Sequence, residues 1–319
     1  MCCEEDPVRN LDAAIDRITA AAQKGAEIVC LQELFRSRYF CQVNDKKSFD
    51  LAEAIPGPTT ELLGKIAKEK KIVIVASLYE RDGQDLFNTS CVLDADGRFL
   101  GKYRKVHIPD DLPNHYSESF YFKSGNLGFP VFETRYAKIG LQVCWDQWFP
   151  EGARALALQG VEIIFYPTAI GWPNSQREEE IGKAEFDAWV TVQRGHAISN
   201  TVFVAAANRT GSEDHLQFWG GSFVTDPLGR VLKQATHDKE ESLIVRCEMG
   251  QIGEVRKDWP FLTCRKTDQY PSKGIRPPHN QATACPRNSS RTRRPGSLGR
   301  TTQRPGRVGL NLSPRSGFR

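Results

Sequence analysis

Cys144 stands where an apolar run, "KIGLQV", gives way to "CWDQWFPEGARALALQG". A thiol where a strand stops and a helix opens is aimed out of the sheet edge. Backbone amides at such an opening can lower the thiol pKa and donate to an oxyanion, and the Trp145 amide lies in that place. The bland reading is a packed thiol, because free cysteine is among the most buried residue types. A thiolate nucleophile also requires a base or a cation close by. Two charged residues close apolar runs elsewhere: Glu33 ends "EIVCLQE" and Lys105 ends "FLGKYRK". Each has an alternative, Glu33 as the cap of a following helix and Lys105 as one more solvated cation beside Lys102 and Arg104. Glu118, in "YSESFYF", has less in its pattern to mark it. His107 and His196 compete for the role of base, but neither has an Asp or Asn at an interpretable spacing, so both read as structural histidines. The chain lacks a G-x-S-x-G elbow, a Walker A loop, a dinucleotide glycine fingerprint and an H-E-x-x-H pair.

The elements that would carry these residues alternate between helix and strand. Val8 to Lys24 places Leu11, Ile15 and Ile18 at helical spacing, with Gly25 to stop it, and "AEIVCLQE" follows as a buried strand. Thr59 to Lys70 is amphipathic and precedes "KIVIVASLYE". The segment after Cys144 reads as a helix and is followed by "VEIIFYPT". A helix from about Glu178 to Asn200 precedes "TVFVAAANR". Two hairpins lie between, "LFNTSCVLDADGRFLGKYRK" turning at "DADG" and "GGSFVTDPLGRVLKQA" turning at "DPLG". The mixture suggests sheets covered by helices on one side, with the other sheet face packed on something apolar. A sheet-on-sheet sandwich between helix layers satisfies it, although periodicity alone does not establish one.

The chain has 319 residues, 39% hydrophobic and 26% charged, and no apolar run approaches the ~20 residues of a membrane span. The N-terminus has neither a secretory nor an organelle signal pattern, so the expected compartment is the cytoplasm. Nine cysteines without a C-x-x-C pair argue against a disulfide framework and a structural zinc site. Sequons at Asn88, Asn208 and Asn288 then carry little meaning. From Pro271 to Arg319 there are ten arginines and Lys273, no acid and seven prolines, so residues 1–270 carry −7 of a whole-chain charge of +4. That tail has too few apolar residues to offset the entropy of ordering it, and disorder is expected there.

Several stretches resemble the nitrilase superfamily of carbon–nitrogen hydrolases: "LQELF" with "YFCQ", "YRKVHIPD", "KIGLQVCWDQWFPEGARALALQGVEIIFYPTAIG" and "QRGHAISNTVFVAAANRTG". They occur in the family's order and cover roughly Asn10 to Tyr270. The "CWDQWFPE", "YPTAIG" and "YFCQ" segments are most similar to the branch that hydrolyses N-carbamoylputrescine. The resemblance implies a catalytic set of Glu33, Lys105 and Cys144, with Glu118 as a second active-site glutamate. It implies an α/β fold, a four-layer α-β-β-α sandwich, that pairs into a homo-oligomer, and it calls for no metal or organic cofactor. The expected partner is a small ureido or amide substrate. A cationic substrate tail wants a carboxylate or an aromatic face, for which Asp146, Trp145, Trp148 and Trp172 are candidates, with Glu185 and Asp187 behind them.

The chain departs from the family pattern at both ends. Relatives begin with a strand ahead of the first helix, whereas "MCCEEDPVRN" leads almost directly into it, so a first strand is expected to be missing and a sheet edge left unpaired. The expected organisation is a hydrolase domain over residues 1–270 and a basic Pro/Arg-rich tail over 271–319 that matches no family segment. Eleven positive charges in a flexible tail would give salt-sensitive affinity for nucleic acid or another anionic surface. With only Phe318 available to stack on bases, that is a minor expectation.

Overall fold

The computed structural model describes residues 1–173 and 180–270; the expected tail lies outside the described residues. Helix α1 (Pro7–Gln23) is capped by Asp6, whose carboxylate accepts from the Val8 amide at 2.8 Å, with Pro7 pre-set for the first turn. Strand β1 (Ile28–Cys30) follows, then α2 (Pro58–Lys70), β2 (Val73–Asp82), β3 (Asp85–Leu93) and β4 (Phe99–Arg104). These strands form one sheet in the order β1-β2-β3-β4, with β1 parallel to β2 and the rest antiparallel. Since β4 reverses β3, which reverses β2, the carboxyl ends of β1 and β4 lie at the same end of the sheet. The β3–β4 turn falls on the expected "DADG", where Gly97 takes φ +90°.

Past β4 the chain runs through two-residue strands β5 (Asp110–Asp111) and β6 (Tyr116–Ser117) into the second sheet. Its members are β7 (Val131–Glu133), β8 (Lys138–Leu141), β9 (Ile163–Thr168), β11 (Phe203–Asn208), β14 (Phe223–Thr225) and β15 (Val231–Gln234), with β8, β9 and β11 parallel. Helix α3 (Pro150–Leu158) joins β8 to β9, and helix α4 (Glu180–Asn200) precedes β11. A small sheet of β10 (Gly171–Pro173), β12 (Thr210–Glu213) and β13 (Leu216–Trp219) lies apart, and α5 is Gly250–Asp258.

Strand β2 explains how the layers stack. Alternate side chains point to opposite faces, and residues 73–80 are all buried, so β2 is covered on both sides. Ile74, Ala76 and Leu78 pack with Ala14 and Ile18 of α1 and Leu63 and Ile66 of α2. Val73 and Val75, on the other face, join a core with Ile139 and Leu141 of β8, Ile163 of β9, Leu156 of α3 and Trp189 of α4. Helices, sheet, sheet and helices therefore succeed one another: the fold is a four-layer α-β-β-α sandwich. Full burial of each such Ile, Leu or Val contributes about 1.5–3 kcal/mol, so this doubly covered strand is among the most strongly fixed parts of the body.

No helix among the described residues is long and apolar enough to cross a membrane. The first regular element is α1, and β1 pairs only with β2 among the described strands.

Candidate active site

Strand ends deliver the charged groups. Glu33 lies three residues past β1, Lys105 directly past β4, and Cys144 three residues past β8. The side chains of Glu33 and Lys105 have no solvent exposure, nor has that of Glu118. Lys105 Nζ donates to Glu33 Oε1 at 2.9 Å and to Glu118 Oε2 at 2.6 Å, so one ammonium bridges two carboxylates. Strand β3 braces both ends of this arrangement: the Asn88 side chain donates to Glu33 Oε1 at 2.7 Å, and its carbonyl accepts from the Lys105 amide at 2.8 Å. The Tyr39 hydroxyl donates to Glu118 Oε1 at 2.7 Å. Glu33 Oε2 is left buried with no hydrogen-bond partner among the described residues. A buried carboxyl oxygen without a partner keeps its hydrogen-bonding capacity for a bound group.

Two residues in this neighbourhood have left-handed backbones that side chains normally avoid, Leu34 at φ +49° and Cys144 at φ +46°. Glu33 is thus followed by a strained turn, and Cys144 opens a single 3-10 turn, Cys144–Trp148, ahead of α3. Cys144 retains 3% of its surface accessible. It lies within electrostatic reach of Glu33, Lys105 and Glu118.

Burial and mutual charge set the protonation states. Burial pushes the Cys144 thiol well above its ordinary range; Glu33 and Glu118 add to the rise, against Lys105 and the Ala169 amide. Desolvation and two carboxylates outweigh the lowering by Lys105 and the Ala169 amide. Burial alone would lower the Lys105 ammonium, but Glu118 and Glu33 hold it well above the usual lysine range. Burial, with Glu33 beside it, pushes Glu118 up to about 7 despite the bond from Lys105. The resting cluster thus holds a neutral thiol beside an ion-paired lysine.

The candidate substrate-contact residues fare differently. Asp146 is fully buried, and both its oxygens accept protein hydrogen bonds, from Val143, Tyr103 and His107. Its oxygens are thus engaged by the protein itself. Trp172 is 4% exposed, donates its indole N–H to the Gly182 carbonyl at 2.9 Å and packs on Trp219. Trp145 is half-buried beside the thiol and meets Trp148 edge to face at 6.4 Å, while Trp148 Nε1 has no acceptor among the described residues. Glu185 and Asp187 are exposed on α4. Both histidines are structural, as expected. His196 Nε2 lies 2.8 Å from the Gln147 carbonyl, and His107 pairs with Asp146 and stacks on Phe149 at 3.7 Å.

Sequence reasoning missed the bracing residues. Arg209, wholly buried, donates to the carbonyls of Glu33 (3.0 Å), Leu34 (2.9 Å) and Ser37 (2.9 Å) and to Glu213 Oε1 (2.7 Å), fixing the strained turn that carries Glu33. Asn88 was seen only as a sequon. Its burial, and that of Asn208, which bonds Ile170 and Gly220, rules out a glycan on either in this fold; Asn288 lies outside the described residues. Two surface hollows, one edged by Lys138 and Arg256 and the other by Lys65 and Arg98, hold none of the clustered groups.

A buried carboxylate–ammonium–carboxylate set lies within electrostatic reach of a thiol on a strained turn, inside a four-layer sandwich. The chain belongs to the carbon–nitrogen hydrolase family of the nitrilase superfamily, whose sequence model matches residues 3–257. It is 41% identical over 277 residues to the N-carbamoylputrescine amidase of Solanum lycopersicum, covering 84% of this chain and 90% of that one. It is 37% identical to a citrullinase of Francisella tularensis, over 83% and 93% of the two chains. The crystal structure of a carbon–nitrogen hydrolase from Helicobacter pylori superposes with a TM-score of 0.80 at 38% identity, covering 84% of this chain and 94% of that one. The protein is a hydrolase of carbon–nitrogen bonds other than peptide bonds.

Proposed function

We propose that the protein hydrolyses the ureido group of N-carbamoylputrescine to putrescine, carbon dioxide and ammonia, with Cys144 as nucleophile. The observation that carries the catalytic reading is the unpartnered Glu33 Oε2 beside Lys105 in a site without exposed charge. Glu33 takes the thiol proton as the sulfur attacks the ureido carbon, which matches a thiol that burial keeps neutral at rest. Lys105 and the Trp145 amide stabilise the oxyanion, most effectively where water is excluded. Glu33 then protonates departing ammonia, leaving an S-(N-alkyl)thiocarbamate on Cys144. Water activated by the same carboxylate releases the carbamate, which gives the amine and carbon dioxide. Glu118 holds Lys105 in line, and Trp145 offers a face to the substrate. No step calls for a metal or organic cofactor.

The substrate choice rests on the similarity to N-carbamoylputrescine amidase. The likeness to a citrullinase favours a second reading in which a ureido amino acid is the substrate. Ammonia release from N-carbamoylputrescine, citrulline, N-carbamoyl-β-alanine and an ω-amide separates the possibilities. Turnover of the first at the highest kcat/KM is expected; none on the first rejects the assignment, and none on any rejects the catalytic reading. We further propose a cytoplasmic homo-oligomer whose hydrolase body ends near residue 270. Light scattering on the full chain and on a chain cut after Tyr270 tests both points, with equal assembly and equal turnover expected.

A further inference from the structure

The proposed nucleophile and oxyanion donor come from different sheets, so their separation is not fixed by any one strand. Asp146 supplies a link. Its Oδ2 accepts from the Val143 amide at 2.9 Å and the Tyr103 hydroxyl at 2.7 Å; its Oδ1 accepts from the His107 amide at 3.0 Å and lies 2.7 Å from His107 Nδ1. Val143 immediately precedes Cys144, while Tyr103 and His107 stand two residues to either side of Lys105. One buried carboxylate therefore holds the Tyr103 hydroxyl before the lysine, the His107 backbone and ring after it, and the backbone entering the cysteine turn. The His107 ring, stacked on Phe149 with a 4° interplanar angle, closes the far end of that turn against the same segment.

We propose that Asp146 is a positioning residue that sets the register between Cys144 and Lys105 through Tyr103 and His107. Its use for turnover rests on the catalytic reading above. Four donors around one carboxylate leave it no capacity for substrate, and its engagement across the two sheets is what a spacer requires. Without it the strained Cys144 turn is free to relax away from the lysine. Misplacement of a reacting group by about 1 Å costs on the order of 100-fold in rate.

The test compares Asp146→Asn, Tyr103→Phe and the double variant in the full-length protein. Asp146→Asn should lower kcat by about 10- to 100-fold with KM within about twofold. Tyr103→Phe should lower it by a smaller factor, and the double variant should be no worse than Asp146→Asn alone, since both break one link. A second readout is the alkylation rate of Cys144 by iodoacetamide against pH, assigned by peptide mass and by a Cys144→Ala control. Burial and Glu33 are the leading causes of the raised thiol pKa, so a turn that drifts from the cluster should give an alkylation midpoint below that of the parent. A folded Asp146→Asn with parental kcat and midpoint, a change in KM alone, or independent multiplication of the two single effects overturns the proposal. Should Asp146→Asn fail to fold, parental kcat in Tyr103→Phe overturns it. If the parent turns over no carbon–nitrogen substrate, the catalytic reading fails by itself and the alkylation midpoints still judge the spacer.

Discussion

Two buried ion clusters flank one peptide bond, at Arg104 and Lys105, and they are built to opposite ends. Arg104 donates Nε to Glu80 Oε2 at 2.9 Å and Nη2 to Glu80 Oε1 at 2.7 Å, a fork matched to a carboxylate, and its remaining donors reach Asn126 and Asp82. Thr89 and Lys102 add further bonds to Glu80. Burial opposes the charge on Glu80, yet the bonds from Arg104, Lys102 and Thr89 hold its carboxyl below the usual range. Across the backbone, Lys105 offers a point charge to two carboxylates, one oxygen of Glu33 stays open, and burial pushes Glu118 up to about 7. A saturated cluster secures the sheet; the unsaturated one is the set proposed to exchange protons. The choice of arginine in one and lysine in the other follows from the same difference.

The sharpest way to break the comparison is to remove the cation from each side. Lys105→Met should reduce turnover by about 1000-fold, the scale of one lost oxyanion donor, as read by ammonia release from a protein that circular dichroism finds folded. Arg104→Ala should leave the turnover of the folded fraction near parental and cost about 1–3 kcal/mol in denaturant unfolding, because a buried carboxylate loses its forked partner and keeps only Lys102 and Thr89. Similar catalytic losses in both would erase the distinction.

A smaller, signed effect belongs to Glu118. Its folded pKa, about 7, stands above the ordinary carboxyl value, so the folded state binds the proton more tightly than the unfolded one. The associated stability is fully present below the unfolded pKa and is lost as pH rises to about 7. Glu118→Gln should therefore gain stability relative to the parent between about pH 4.5 and 7, by on the order of 3 kcal/mol, and level off above. Paired denaturant titrations across that range check it; a flat difference would mean that Glu118 ionises normally. The smallest effect is expected at Asp82, the rim of the saturated cluster, whose side chain is 61% exposed. Asp82→Asn should match the parent in turnover and thermal midpoint, and a measurable loss in either would place that rim in the essential network.

Local order was legible in the sequence and long-range order was not. The helix expected at Val8–Lys24 is observed at Pro7–Gln23, offset by one because the Asp6–Pro7 cap fixes the start. Both hairpin turns fall where "DADG" and "DPLG" put them, since Asp and Gly meet backbone demands within four residues. The segment from residue 106 to 130 has no period to read, and its two-residue strands, which pair with each other, are too short to show one. For Glu33, Lys105 and Cys144, residue type alone left packing and chemistry open; the family motifs narrowed the choice. Asp146 was misjudged because its near neighbours are tryptophans, whereas its partners Tyr103 and His107 lie 43 and 39 residues away. Arg209 reaches Leu34 across 175 residues, a pairing that only the stacking of the two sheets creates.

The central claim is that the Glu33 carboxylate and the Cys144 sulfur share one dry cavity. The most direct measurement is the pH dependence of Cys144 alkylation in the parent and in Glu33→Gln. Glu33 helps to hold the thiol pKa up, so removing its charge should move the midpoint down, toward the ordinary cysteine value. Coincident profiles in two folded proteins would place the carboxylate out of reach of the sulfur and contradict the account.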